Sequence, residues 1–239
     1  MPRSDEPVTF LAIRRLGSEL LDDPATDPVV VAESLRNIAR ANRWFGGTAA
    51  LCFGVGQAIG GLGPGARLTL LDLGCGFGDL PRAAARWAAR RGIRLVPIAL
   101  DQNRIAARLS KSRGLPTIVG CAGAPPVADK SVDLVSLSMV AHHFEPDSVV
   151  HLFRVCDRIA RRTVVVTDLR RAAAAAIAFW CGAHLLRFDP VTTADGMTSI
   201  RRGFTAAELK ALLSRAGVAG RVRRRLGWRL VATWTPAVP

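Results

Sequence analysis

The run Leu71-Asp72-Leu73-Gly74-Cys75-Gly76-Phe77-Gly78-Asp79 constrains the fold more than any other stretch of this 239-residue chain. It follows an apolar stretch, Leu68 to Leu71, that reads as a buried strand, and it precedes Leu80 to Arg91, which reads as a helix. Three glycines at alternate positions sit on the strand-to-helix turn. Glycine adopts positive φ and lets a ligand approach the backbone with no Cβ in the way. An open α/β sheet binds nucleotide-like ligands at such a turn. The spacing here is G-x-G-x-G, which departs from the G-x-G-x-x-G of the dinucleotide fingerprint. A second apolar strand, Leu95 to Leu100, ends in Asp101. An acid roughly 20 positions past the glycines is placed to accept hydrogen bonds from ribose hydroxyls.

Strand and helix then alternate. Strands are expected at 67–73, 94–100, 116–120, 131–139 and 162–167, and helices at 80–91, 104–112 and 147–159. This alternation implies a parallel sheet covered on both faces. Two last strands, 220–225 and 228–235, are close enough to form only a hairpin, so one strand runs antiparallel. Before the sheet, helical spacing covers Val8 to Leu21. Asp27-Pro28 opens a second helix to about Trp44, with Asp27 as N-cap and Pro28 at the first helical position. A short third helix spans Cys52 to Ile59, and Gly60 to Gly65 forms a break. The chain therefore divides into a helical cap, 1–64, and an α/β domain, 65–239. The cap is read as a lid that excludes water from the cleft.

The formal charge is +14, yet only Lys111, Lys130 and Lys210 are lysines among 33 basic residues. So arginine-rich a chain carries the mark of base composition, and aromatics are not interleaved with its basic residues as nucleic-acid binders require. A nucleic-acid partner is disfavoured on that ground. Five cysteines, an odd number without C-x-x-C spacing, argue against a disulfide framework or a metal site. No apolar signal segment opens the sequence, and a reduced, cytoplasmic setting is expected. The apolar run Ala172 to Ala183 is too short to span a bilayer. It reads first as a core helix, then as the wall of a greasy pocket, and third, because Arg170, Arg171 and Arg187 flank it, as a peripheral membrane contact.

Taken together, Asp72 to Gly78, Asp101, Ser131 to Val135, Leu137 to Phe144 and Gly203 to Leu209 with Ala216-Gly217 resemble the class I S-adenosylmethionine-dependent methyltransferases. The similarity runs in order from about residue 65 to the end and is nearest to the small-molecule, quinone-biosynthesis branch. It implies a Rossmann-like, mostly parallel seven-stranded sheet with an antiparallel edge hairpin. It implies S-adenosyl-L-methionine as cofactor, and no metal is expected because no metal-ligand cluster is apparent in the sequence. Asp72, Gly74, Cys75, Gly76, Gly78, Asp101, Gln102, Cys121, Ala122 and Ser138 would then hold the cofactor. The family pattern usually places an acid where Cys121 stands, to meet the adenine amino group. A thiol is a weak acceptor, so the backbone of Cys121 and Ala122 is expected to serve instead.

Positions just past a strand's carboxyl end line the crevice of such a sheet, which brings His142 and His143 near the transferred methyl. A phenol or enol acceptor needs a base, and histidine titrates near neutrality. The chain has no tyrosine and four histidines. His143 is the first candidate, with His142 and His184 beside it, while His151 reads as structural. The expected acceptor is a small hydrophobic aromatic, polyketide-like or quinone-like molecule, methylated on a hydroxyl or an activated ring carbon. An RNA-directed methyltransferase or RNA binder, and a non-catalytic methyltransferase-like partner protein, stand as alternatives. The residues set no oligomeric state.

Overall fold

In the computed structural model, residues 14, 16, 17, 19–23 and 25–237 are described. Two helices, α1 (Pro28–Trp44) and α2 (Gly47–Ile59), precede the first strand, β1 (Arg67–Leu73). There follow α3 (Asp79–Ala89), β2 (Arg94–Asp101), α4 (Arg104–Ser112), β3 (Thr117–Val119) and β4 (Val132–Ser138). A 3-10 turn, Ala141–His143, leads into α5 (Pro146–Ile159) and β5 (Ala160–Leu169). The chain closes with α6 (Ala173–Leu185), α7 (Pro190–Arg202), α8 (Ala206–Ala216), β6 (Arg221–Arg225) and β7 (Arg229–Trp234).

The strands form one sheet in the order β3-β2-β1-β4-β5-β7-β6. All pairings from β3 to β5 are parallel, and β7 is antiparallel to both β5 and β6. The Rossmann-like fold expected from sequence is therefore observed, edge hairpin included. The central strands lie between two helical layers. Leu70, Leu71, Leu73, Leu134, Val135 and Leu137 are fully buried, and each such side chain stabilises the fold by about 1.5–3 kcal/mol. The order reverses between β1 and β4, and ligands bind in the crevice at that switch point. The outer strand β6 reads Arg-Val-Arg-Arg-Arg and is largely exposed, a charged edge that discourages pairing with another sheet.

The segments before β1 do two different jobs. Helix α2 lies on the sheet against β5 and β7, so close that a Cβ at Gly54 would stand 2.2 Å from Val165 Cγ1. It belongs to the sheet's own covering layer, and not to a lid. Helix α1 begins as expected: the Asp27 carboxylate accepts from the Val29 amide at 2.7 Å, with Pro28 in the first turn. It packs on α4 and α7 and spans the mouth of the crevice. Of the helix expected over Val8 to Leu21, most lies outside the described residues. Leu20–Asp22 within or beside it is a 3-10 turn.

Helix α6 corrects the core-helix expectation. Only Ala175 and Ala183 are buried, while Ile177, Trp180 and Leu185 are exposed. Helix α7 was not anticipated at all. Its polar sequence hides the apolar period, although Asp189 caps it through the Thr192 amide at 2.8 Å and Pro190 opens it. All five cysteines are free thiols.

Candidate active site

The turn after β1 is held by its neighbour strand. The Gly74 and Cys75 amides donate to the Leu100 carbonyl at 2.8 and 3.0 Å, and the Gly76 amide donates to Asp101 Oδ2 at 2.8 Å. Gly74, Gly76 and Gly78 all have positive φ, of 73°, 52° and 70°. Their surroundings differ. A Cβ at Gly74 would strike Val140 and one at Gly78 would strike Ser110 and Leu115, each near 2.5 Å. At Gly76 the nearest atom would be Leu35 Cδ2 on α1, 3.5 Å away across the crevice mouth. Gly74 and Gly78 thus allow close packing of the turn, whereas Gly76 keeps backbone open to the cavity.

That cavity has a volume of about 730 Å3, within the range of roughly 300–1,000 Å3 usual for small-ligand sites. One half lies over the glycine turn, bounded by Asp72, Asp79, Asp101, Gln102 and Ala122. The other half is apolar and reaches Leu169, Phe179, Ile200 and Trp228. The first half is acidic in a strongly basic protein. Burial pushes the Asp72 carboxyl up to about 7; the Ser136 hydroxyl, donating at 2.5 Å, pulls it back, and the charges of Asp79 and Asp101 push it further up. Burial also raises Asp79 and Asp101. Three desolvated carboxyls around one turn repel a pyrophosphate and suit a cation. An adenosine-bearing sulfonium with an ammonium tail matches this donor set, and Asp101 stands where ribose hydroxyls are taken.

At the ends of β4 and β5 the two adjacent histidines have unlike roles. His142 is buried, and its Nδ1 lies 2.7 Å from Asp168 Oδ1. The carboxylate also accepts the backbone amides of His142 and Leu169. Burial alone would raise the Asp168 carboxyl; the charge and hydrogen bond of His142, with the Leu169 amide and His143, outweigh it and hold Asp168 below the usual carboxylate range. An ionised carboxylate only accepts, so Nδ1 of His142 carries the proton. Its Nε2 is buried without a hydrogen-bond partner, in a residue of the cavity wall. Ser138 in the same wall also has an unpartnered hydroxyl.

His143 stacks on His142 with ring centroids 4.2 Å apart. Its Nδ1 accepts from Arg202 Nη1 at 3.0 Å, and Arg202 is paired with Glu19 at 2.9 Å. Glu19, His142 and His143 come near enough to suggest metal ligands. However, the Arg202 guanidinium is bonded to two of the three, and its charge opposes a cation there. The segment before α1 is tied to this corner as well, since Arg14 donates to the His142 and Phe144 carbonyls at 3.0 and 2.7 Å.

Other residues singled out from sequence fall elsewhere. Cys121 is exposed and absent from the cavity wall, which Ala122 joins in its place. Gly78 caps α3 behind the turn. His184 is on the outer side of α6, bonded to the Trp180 carbonyl at 2.8 Å. His151 is exposed and contacts the Gly123 carbonyl. Sequence reasoning missed Asp168 as the partner of His142, and it missed Arg229, Arg202 and Glu19.

A sheet of this order, with an acid-lined glycine turn at its switch point, defines the class I methyltransferase architecture. Residues 71–166 match the family model described as a methyltransferase domain. No curated protein matches the sequence. Among solved structures, a SAM-dependent methyltransferase from Aquifex aeolicus is 15% identical, with a TM-score of 0.58 over 89% of this chain and 100% of that one. NcsB1, an O-methyltransferase from neocarzinostatin biosynthesis solved with S-adenosylmethionine and 2-hydroxy-5-methyl naphthoic acid, is 20% identical, with a TM-score of 0.61 over 93% of this chain and 62% of that one. Human N-acetylserotonin methyltransferase, solved with S-adenosylmethionine, is 12% identical, with a TM-score of 0.61 over 89% of this chain and 57% of that one. Residues 71–166 thus match a methyltransferase domain, and the chain shares its fold with solved S-adenosylmethionine-dependent methyltransferases.

Proposed function

We propose that this enzyme methylates a hydroxyl of a small, hydrophobic aromatic acceptor, with His142 as the general base. The observation that carries this reading is the His142–Asp168 pair: the carboxylate fixes one ring nitrogen and Nε2 is left without a hydrogen-bond partner, in a residue that lines a cavity with one acidic and one apolar half. When bound, S-adenosylmethionine supplies a methyl carbon on sulfonium, and the C–S bonding pair stays with sulfur as the acceptor oxygen forms its bond to that carbon. The hydroxyl proton passes to His142 Nε2. Asp168 holds the ring in the required tautomer and balances the imidazolium that results. Such a base contributes about 10²–10⁴-fold.

The remaining residues bind and orient. Asp101 would take the ribose hydroxyls, Asp72 and Asp79 the cationic end, and Ala122 would bound the adenine. The apolar half would hold the acceptor ring, with Phe45, Phe179 and Ile200 as walls. NcsB1 was solved with a hydroxylated naphthoic acid, an acceptor of the class proposed here. An activated ring carbon as acceptor also needs a proton taken away, and it is the second choice. Helix α1 would serve as the cap over the crevice, and a cytoplasmic setting is consistent with five free thiols. Among the described residues no helix is long and apolar enough to cross a membrane.

The test is turnover of a panel of phenols and naphthols with S-adenosylmethionine, comparing wild type with His142→Gln. Product formation that collapses in the variant supports the assignment. Turnover that survives it removes His142 as base.

A further inference from the structure

Three arginines are buried among the described residues: Arg171, Arg202 and Arg229. Two of them have a carboxylate. Arg171 pairs with Glu208 at 2.6 Å and Arg202 with Glu19 at 2.9 Å. Arg229 has none within 4.0 Å among the described residues. Among the described residues its one side-chain hydrogen bond runs from Nη1 to the Gly227 carbonyl at 3.0 Å, and its buried Nε has no partner there. Removing a guanidinium from water without a counter-ion is costly. Chains place such a charge where a ligand completes it.

Arg229 is positioned for that purpose. It is the first residue of β7, opposite Leu169, and both residues line the apolar half of the cavity. Burial pulls its guanidinium down to about 10, partly offset by the Asp168 charge, so it stays cationic at neutral pH. Asp168 acts on it only at a distance, since no contact within 4.0 Å joins them and the carboxylate's hydrogen bonds go to the His142 ring and two backbone amides. The cavity therefore holds a buried cation at the greasy end, far in character from the three carboxyls over the glycine turn.

We propose that Arg229 is a specificity residue that recognises a carboxylate on the aromatic acceptor, so that the preferred substrates are aromatic hydroxy acids. This rests on the acceptor-site reading above and narrows it to one substrate class. A planar guanidinium with donors to spare matches a carboxylate in two-pronged fashion. The neutral analogue of such an acceptor would leave the cation unpaired.

The isomeric hydroxynaphthoates and the neutral naphthols are the probes. Affinity is read by ring fluorescence in the presence of S-adenosylhomocysteine, and kcat/KM with S-adenosylmethionine. The wild type is expected to favour the acids by about tenfold or more, the scale of a charged hydrogen bond. Arg229→Met should erase that preference through KM, leaving kcat, naphthol binding and S-adenosylhomocysteine affinity unchanged. Arg229→Lys, which keeps the charge but not the two-pronged fork, should restore part of it. Equal affinity of wild type for acids and naphthols overturns the proposal. So does an Arg229→Met variant that weakens both probes alike, as a brace of the β6–β7 turn would, or that weakens S-adenosylhomocysteine. Charge-selective binding without any methyl transfer would defeat the transferase reading of the acceptor half and leave the subsite standing.

Discussion

Nδ1 of His142 donates to Asp168 at 2.7 Å while Nε2 of the same ring is buried without a hydrogen-bond partner, in a residue of the cavity wall. Two groups 26 residues apart in sequence thereby define one direction for a proton to travel. His142→Gln is expected to lower kcat by about 10²–10⁴-fold. Asp168→Asn should also lower it, because an amide donating to Nδ1 would invert the tautomer. His143→Gln, whose Nδ1 is already bonded to Arg202, should change kcat only a few-fold. Steady-state kinetics on one acceptor checks all three.

Asp101 braces the glycine turn through the Gly76 amide and lines the cavity. Asp101→Ala should weaken S-adenosylhomocysteine by about tenfold or more, as read by calorimetry. Cys121→Ala should not change that affinity, since the thiol lies outside the wall.

Asp72 gives a pH signature. Its carboxyl rises from an ordinary 3.8 to about 7 on folding, chiefly through burial. A raised carboxyl binds its proton more tightly when folded, so its contribution to stability is complete below pH 3.8 and is lost as pH rises through about 7. Asp72→Asn removes that loss. The difference in Tm between variant and wild type should grow in the variant's favour from about pH 4 to about pH 8. A cationic ligand favours the ionised form, so S-adenosylmethionine should bind wild type more tightly as pH rises through neutrality, and Asp72→Asn should lack that slope. Thermal melts and calorimetry across the range decide both.

Helix α2 meets the sheet with only a hydrogen's width at Gly54. Gly54→Ala should destabilise the fold by about 1–3 kcal/mol through overpacking against Val165, measured by urea unfolding. Gly63→Ala, with nothing within 4 Å of the added carbon, should not.

The sheet was readable because its strands are short apolar runs and its connections carry strong punctuation. Leu68 to Leu73, the glycine turn and Asp101 fall where periodicity and spacing put them. Helix α7 was not readable from period, since its inner face is built from Thr192, Asp195 and Ser199 as much as from Ile200. Its one signal was Asp189-Pro190, the same N-cap and first-turn pair that located α1. The site was half legible. The glycines and acids lie on adjacent segments, so spacing finds them. The His142–Asp168 bond joins the turn after β4 to β5, Arg229 enters from β7, and only the sheet order brings them together. Spacing therefore could not rank His142 above His143.

Two aromatic rings of the apolar half rest on glycines. A Cβ at Gly182 would overlap Phe45, and one at Gly196 would overlap Phe179. Neither glycine belongs to the sheet, and neither touches the acids over the turn. The girth of the chamber is thus governed by two detachable contacts between helices. A lineage descended from this chain can retune its menu of guests by single changes there, while the strands that grip the donor go on unaltered.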